Sequence, residues 1–143
     1  MARSFTVKSQ QGLLSSLGTP CHVSKDYDPL KKESEYQFHA NWDTGSSTSV
    51  ITQRVVDACG LKPLRNGFTQ GVHGIKESQS YVVNLYLPRK IAIRELTVVR
   101  ANPGNVWWDV LIGMDIISAG TFTVVNVNSN IEWTFSISAG EDK

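Results

Sequence analysis

Along residues 35–42 apolar and polar side chains alternate: Tyr36, Phe38, Ala40 and Trp42 share one face, and Gln37, His39 and Asn41 the other. That period of two predicts a half-buried strand that delivers Asp43 at its end. Shorter β-favouring segments at 4–8 and 20–24, set apart by Gly and Ser, predict two further strands. Residues 49–51 predict a brief strand. A short helix over 53–59 follows, with Thr52 as its N-cap and Gly60 and Pro63 as its stop. The run YVVNLYL at 81–87 is a strong strand signal that ends at Pro88. Residues 90–93 and 95–100 predict two more alternating strands, and 107–112 a buried strand entering Gly113. A helical turn over 115–119, capped by Asp115 and closed by Gly120, comes next. The segments 121–125 and 131–137 flank a turn and predict a hairpin. Between 66 and 80, glycines at 67, 71 and 74 lie among β-favouring residues and predict a mobile hairpin. The polar, Pro-bearing stretch 26–34 predicts a solvated surface loop. No repeat, low-complexity tract or linker interrupts the chain. The pattern therefore predicts one all-β, barrel-like domain over 1–143 with one or two short helices.

Composition narrows the classes of function. A chain of 143 residues, 41% hydrophobic and 19% charged, can bury a core and is not a disordered segment. A net charge of +1 gives no support for nucleic acid or an anionic membrane as partner. No apolar run reaches the length of a membrane span. Cys21 and Cys59 lie far apart, and His22, His39 and His73 are scattered, so neither set has metal-ligand spacing. No metal and no cofactor are expected. Two reduced, partly buried thiols, and a first twenty residues without the apolar core of a secretory signal, make a cytoplasmic setting the expectation.

The chemistry concentrates in WDTGSSTSV at 42–50. Gly45 permits a tight turn, and the hydroxyls of Thr44, Ser46 and Ser47 can bond nearby backbone groups. An acid in such a turn is held rigidly. Asp43-Thr44-Gly45-Ser46-Ser47 resembles the active-site signature of aspartic proteases. Val110-Leu111-Ile112-Gly113-Met114-Asp115-Ile116-Ile117 is similar to the apolar-apolar-Gly-x-Asp/Asn segment near the end of the retropepsin (retroviral-type protease) fold. The two matches occur in the expected order and span most of the chain.

The resemblance implies a single-domain retropepsin-like acid protease barrel with a flap hairpin, acting as an aspartic endopeptidase on peptide or protein substrates. Asp43, Thr44 and Gly45 would be catalytic, with Thr44 reaching across a twofold axis. Ser46 and Ser47 would line the substrate cleft. Gly71, Val72, His73 and Gly74 would form the substrate-covering flap, although His73 also suits a plain exposed turn. Gly113 would pass tightly beneath the Asp43 loop, and Asp115 would give structural support. Hydrolysis of this type needs two facing carboxylates, one ionised and one protonated. The chain carries a single Asp-Thr-Gly, which implies a homodimer with Asp43 from each subunit. Strands at 4–8 and 131–137 are the candidate joining edges. Met114 stands where many viral relatives carry Arg, and Trp42 is bulkier than the aliphatic residue usual before the acid. Two other readings stay open. One is a catalytically silent peptide-binding or protein-interaction module of the same fold, and the other a β-barrel interaction protein in which DTGSS is only a turn.

Overall fold

Alternation turns into burial most clearly at strand β3 (Phe38–Trp42), where Phe38, Ala40 and Trp42 are buried and His39 is exposed. The computed structural model describes residues 2–71 and 74–138, and for 65–71 and 74–78 it describes the backbone alone. The other strands are β1 (Ala2–Lys8), β2 (Leu17–Ser24), β4 (Val50–Thr52), β5 (Arg65–Gly71), β6 (Gly74–Leu87), β7 (Ile91–Ala101), β8 (Val110–Ile112), β9 (Thr121–Val127) and β10 (Asn130–Ser138). Among the described residues two short α-helices, α1 (Gln53–Cys59) and α2 (Met114–Ile117), and two single 3-10 turns, Glu33–Glu35 and Pro88–Lys90, complete the set.

The strands form two sheets. A seven-stranded sheet has the order β2-β3-β8-β4-β7-β6-β5, and a further β2–β6 pairing closes it into a barrel. A three-stranded sheet, β1-β10-β9, packs against it. Aromatic side chains join the two. Trp42 of the barrel lies 4.9 Å from Phe135 and 5.4 Å from Trp133, centroid to centroid, and Phe5 sits edge-on to both tryptophans. The indole N–H of Trp42 donates to Thr19 Oγ1 at 2.9 Å, so the buried ring leaves no unpaired donor.

Several elements differ from the pattern-based expectation, each for a local reason. The strands expected at 90–93 and 95–100 are one strand, β7, because a bulge keeps the ladder in step. Arg94 and Glu95 together oppose Asn84, Glu95 takes φ 53°, and its N–H donates to Asn84 Oδ1. The strand expected over 107–112 shrinks to β8, and Trp107 stands 52% exposed on the preceding loop. Thr52 occupies the N-cap position of α1 but makes no side-chain cap, since its hydroxyl donates to Asp109 O. Gly60 ends α1 at φ 61°, as a left-handed C-cap requires. The strand at 131–137, expected at an open edge, is interior, because β10 pairs with β1 on one side and β9 on the other. No helix among the described residues is long and apolar enough to cross a membrane.

His22 is 8% exposed, stacked on Phe38 and tilted against Tyr86, and its Nδ1 has no partner among the described residues. Burial, reinforced by Lys31, lowers its pKa. The unfolded chain then binds a proton near pH 6.5 that the folded chain resists, so stability is lost as pH falls through that value. In His22→Phe the ring stack can persist without a titrating group. The fall in melting temperature between pH 7 and pH 5 is expected to be smaller in the variant than in the parent, and equal falls would refute the assignment.

Candidate active site

β3 and β8 run parallel, with Trp42 opposite Ile112, so their C-terminal ends emerge side by side. The Asp43 N–H adds one more rung by donating to Ile112 O at 2.8 Å. Beyond that rung the chain turns. Ser46 N–H donates to Asp43 O at 3.2 Å, and Gly45 N–H donates to Asp43 Oδ1 at 2.8 Å. This is an Asx-type turn, in which the acid's own loop orients its carboxylate. Asp43 is half-buried, while Thr44, Gly45 and Ser47 are exposed. Its other carboxylate oxygen has no partner, and no cation pairs with it, among the described residues. The arrangement presents one fixed acid with an open face.

The loop is braced from below. Met114 N–H donates to Ser46 O at 2.7 Å, and Ser46 Oγ donates to Thr48 O at 2.7 Å. Ser49 is fully buried. Its N–H and hydroxyl donate to the two oxygens of Asp115 at 2.9 and 2.7 Å, and Gly113 N–H donates to Ser49 Oγ at 3.1 Å. Asp115 is therefore not the N-cap residue of α2, although its Oδ1 also accepts the Ile116 N–H of that helix at 3.0 Å. Gly113 holds the N-cap position without a side-chain cap, and Asp115, one residue inside α2, grips Ser49 as well. Contact here is tight enough to demand glycine. A Cβ on Gly113 would meet Ser46 O at 2.7 Å and Thr48 O at 2.8 Å, both of them backbone atoms.

Asp43, Thr44, Gly45, Ser46, Gly113 and Asp115 thus fall in one neighbourhood, with Ser47 at the exposed crest of the loop. Gly71 and Gly74 pair with each other at the end of the β5–β6 hairpin. Val72 and His73, between them, lie outside the described residues. One contributor to the brace lies outside the sequence-based site: Ser49, which the pattern reads only as the first residue of a brief strand, and whose place directly before the apolar Val50-Ile51 is the signal that it turns inward. Trp107 lies over Gly18, where a Cβ would come within 2.9 Å of its ring. It borders a cleft of about 790 Å³ lined mainly by residues 7–16, none of them in the Asp43 loop. Among the described residues no group of His, Cys, Asp and Glu is assembled for a metal. Burial pushes the pKa of Cys21 and Cys59 up, so neither is a ready thiolate nucleophile.

Two substitutions test the brace. Gly113→Ala forces its Cβ onto backbone that cannot rotate away, with an expected loss of about 1–3 kcal/mol. Ser49→Ala leaves Gly113 N–H without its partner and Asp115 with one donor fewer, with an expected loss of about 1–3 kcal/mol. Urea unfolding measures both, and a change under about 0.5 kcal/mol in each would contradict the described packing.

No family model and no curated protein matches this sequence. Solved structures do. A retropepsin-like aspartic protease from Rickettsia conorii superposes with a TM-score of 0.57 at 9% identity, over 96% of this chain and 94% of that one. EIAV protease complexed with the inhibitor HBY-793 gives 0.52 at 18% identity, over 77% of this chain and 92% of that one. At such identities the likeness establishes architecture rather than activity. The chain has the all-β, retropepsin-like fold.

Proposed function

We propose that the protein is an aspartic endopeptidase whose catalytic dyad is Asp43 from each of two identical subunits. The observation that carries this reading is the Asp43 turn itself. An acid held by Gly45 N–H, unpaired with any described cation, stands at the end of a barrel strand in a retropepsin-like fold. In the proposed reaction one Asp43 carboxylate takes a proton from water as the water oxygen bonds to the scissile carbonyl carbon. The other Asp43, protonated, donates to the carbonyl oxygen. The tetrahedral intermediate then collapses: the C–N bond breaks, a proton passes to the leaving amine, and the dyad regains its shared proton. Thr44 and Gly45 complete the loop, Ser46 and Ser47 flank the cleft, and the β5–β6 hairpin carrying Gly71, Val72, His73 and Gly74 acts as the lid.

The surface that supports a second copy is β9. It lies at an edge of the three-stranded sheet, and Val124, Val125 and Val127 are 48%, 50% and 43% exposed. Its sequence TFTVVNV contains no charge or proline to deter strand pairing. Pairing β9 with β9 of a second chain would extend the sheet across a twofold axis, and Trp42, stacked on Phe122 at 6.0 Å, ties that edge to the Asp43 strand.

Asp43→Asn keeps an oxygen to accept the Gly45 N–H but cannot exchange the proton. It is expected to lower cleavage of a peptide library by at least about 10³-fold, within the range for lost acid–base catalysis, while melting temperature holds. Equal rates in variant and parent would refute the mechanism. Absence of cleavage by the parent at every concentration would leave a silent binding module instead.

Specific activity of the parent is expected to rise with concentration until a dimer saturates. Val125→Lys is expected to give a monomer by sedimentation and to lose that rise. A parent monomer with constant specific activity would overturn the two-subunit site.

A further inference from the structure

The loop over 25–36 is fastened to the barrel through two phenol groups. Asp28 N–H donates to Tyr86 Oη at 2.7 Å, and Tyr36 Oη donates to Leu87 O at 2.6 Å. Between this loop, the start of β1 and the turn after β6 lies a cleft of about 510 Å³. That volume falls within the roughly 300–1,000 Å³ of ligand pockets. Its walls include Arg3, Lys32 and Lys90, from three separate segments, together with Leu30 and Tyr36.

Two acids, fewer than the cations, share the wall, and each is turned to a backbone N–H. Glu33 Oε1 accepts the Arg89 N–H, and Asp28 Oδ1 accepts the Leu30 N–H. Lys32 and Lys90 are exposed and have no salt-bridge partner among the described residues. The turn that carries Lys90 is strained, with Arg89 at φ 61° and Lys90 at φ 60°, a region that residues with a Cβ avoid. Arg3 buttresses it by donating from its guanidinium to Lys90 O. A strained turn, held in place from β1, therefore keeps a free lysine at the rim of an aromatic cleft.

We propose that this cleft binds an acidic peptide segment, with carboxylates on Arg3, Lys32 and Lys90 and an apolar side chain against the exposed Leu30, since Tyr27 and Tyr86 are stacked on each other and Arg94 covers Tyr27. A compact phosphate fits less well. It calls for donors converging on one point, such as an arginine fork or a nest of backbone N–H groups, whereas these cations come from three separate segments of the lining. β2 runs from Leu17, paired with Trp42, to Ser24, whose hydroxyl meets Tyr86 Oη. At about 3.3 Å per residue the cleft lies roughly 20 Å from the Asp43 end. Its role as a second contact for substrate, remote from the scissile bond, rests on the protease reading; the binding itself does not.

The test is fluorescence anisotropy with a labelled peptide of alternating Glu and Leu, titrated with the intact chain. Saturable binding that weakens with added salt is expected. Lys32→Glu combined with Lys90→Glu is expected to weaken it at least tenfold, and the milder Lys32→Gln with Lys90→Gln to weaken it less, both with an unchanged far-UV spectrum. A peptide isostere with a tetrahedral hydroxyl, aimed at the Asp43 cleft, is expected to leave the bound peptide in place, which separates this site from the catalytic cleft. No saturable binding, equal binding by the Glu variants, or displacement of the peptide by the isostere would each overturn the proposal. So would complete displacement of the peptide by millimolar inorganic phosphate, which would mark a compact-anion site.

Discussion

The parallel register of β3 with β8 is the constraint from which the site follows. Two strands that end together leave Asp43 and Gly113 as neighbours, and the Asp43 N–H to Ile112 O bond holds them so. The carboxylate can then be fixed by a turn of its own making, since everything beneath the turn is already occupied. Met114 N–H takes the Ser46 carbonyl, Ser49 takes Gly113 N–H, and Asp115 takes both donors of Ser49. A buried polar set of this kind specifies one arrangement when every member is paired, and costs heavily when one is not. The backbone spacing above Gly113 leaves no volume for a side chain, so packing and polar pairing impose the same geometry.

Much of this was legible in the residues. The period of two over 35–42 located β3 and its terminal acid, because one face of that strand meets the core and the other meets solvent. The hairpin of β9 and β10 and the Gly60 stop of α1 were legible for similarly local reasons. The Asp115–Ser49 grip was not, as it joins positions 66 residues apart and no local preference encodes it. The continuous β7 was hidden because Asn84, on another strand, supplies the acceptor that the bulge at Glu95 needs. Trp107 misled in the opposite sense. An aromatic pair ahead of an apolar run reads as core, yet the ring lies over Gly18 at the surface, where the missing side chain makes room for it.

The interior position of β10 changes how the three-stranded sheet is understood. Its aromatic residues, Trp133 and Phe135, are buried against the barrel, and both of its backbone edges are paired within the chain. The strand with unpaired backbone and half-exposed valines is β9. Aromatic and β-branched content alone identified a strand but not its place in the order, because topology decides which edges remain open.

Trp42 carries a consequence of its own. Its indole stacks on Phe122 of β9 and packs on Phe135 of β10, and its backbone leads directly into Asp43. Sheet edge and acid are thereby mechanically geared through one ring, with no loop between them to absorb slack. Substitutions at position 122, though near the surface, should be tolerated over evolution about as poorly as those in the loop around the acid, and drift at the two places should be correlated.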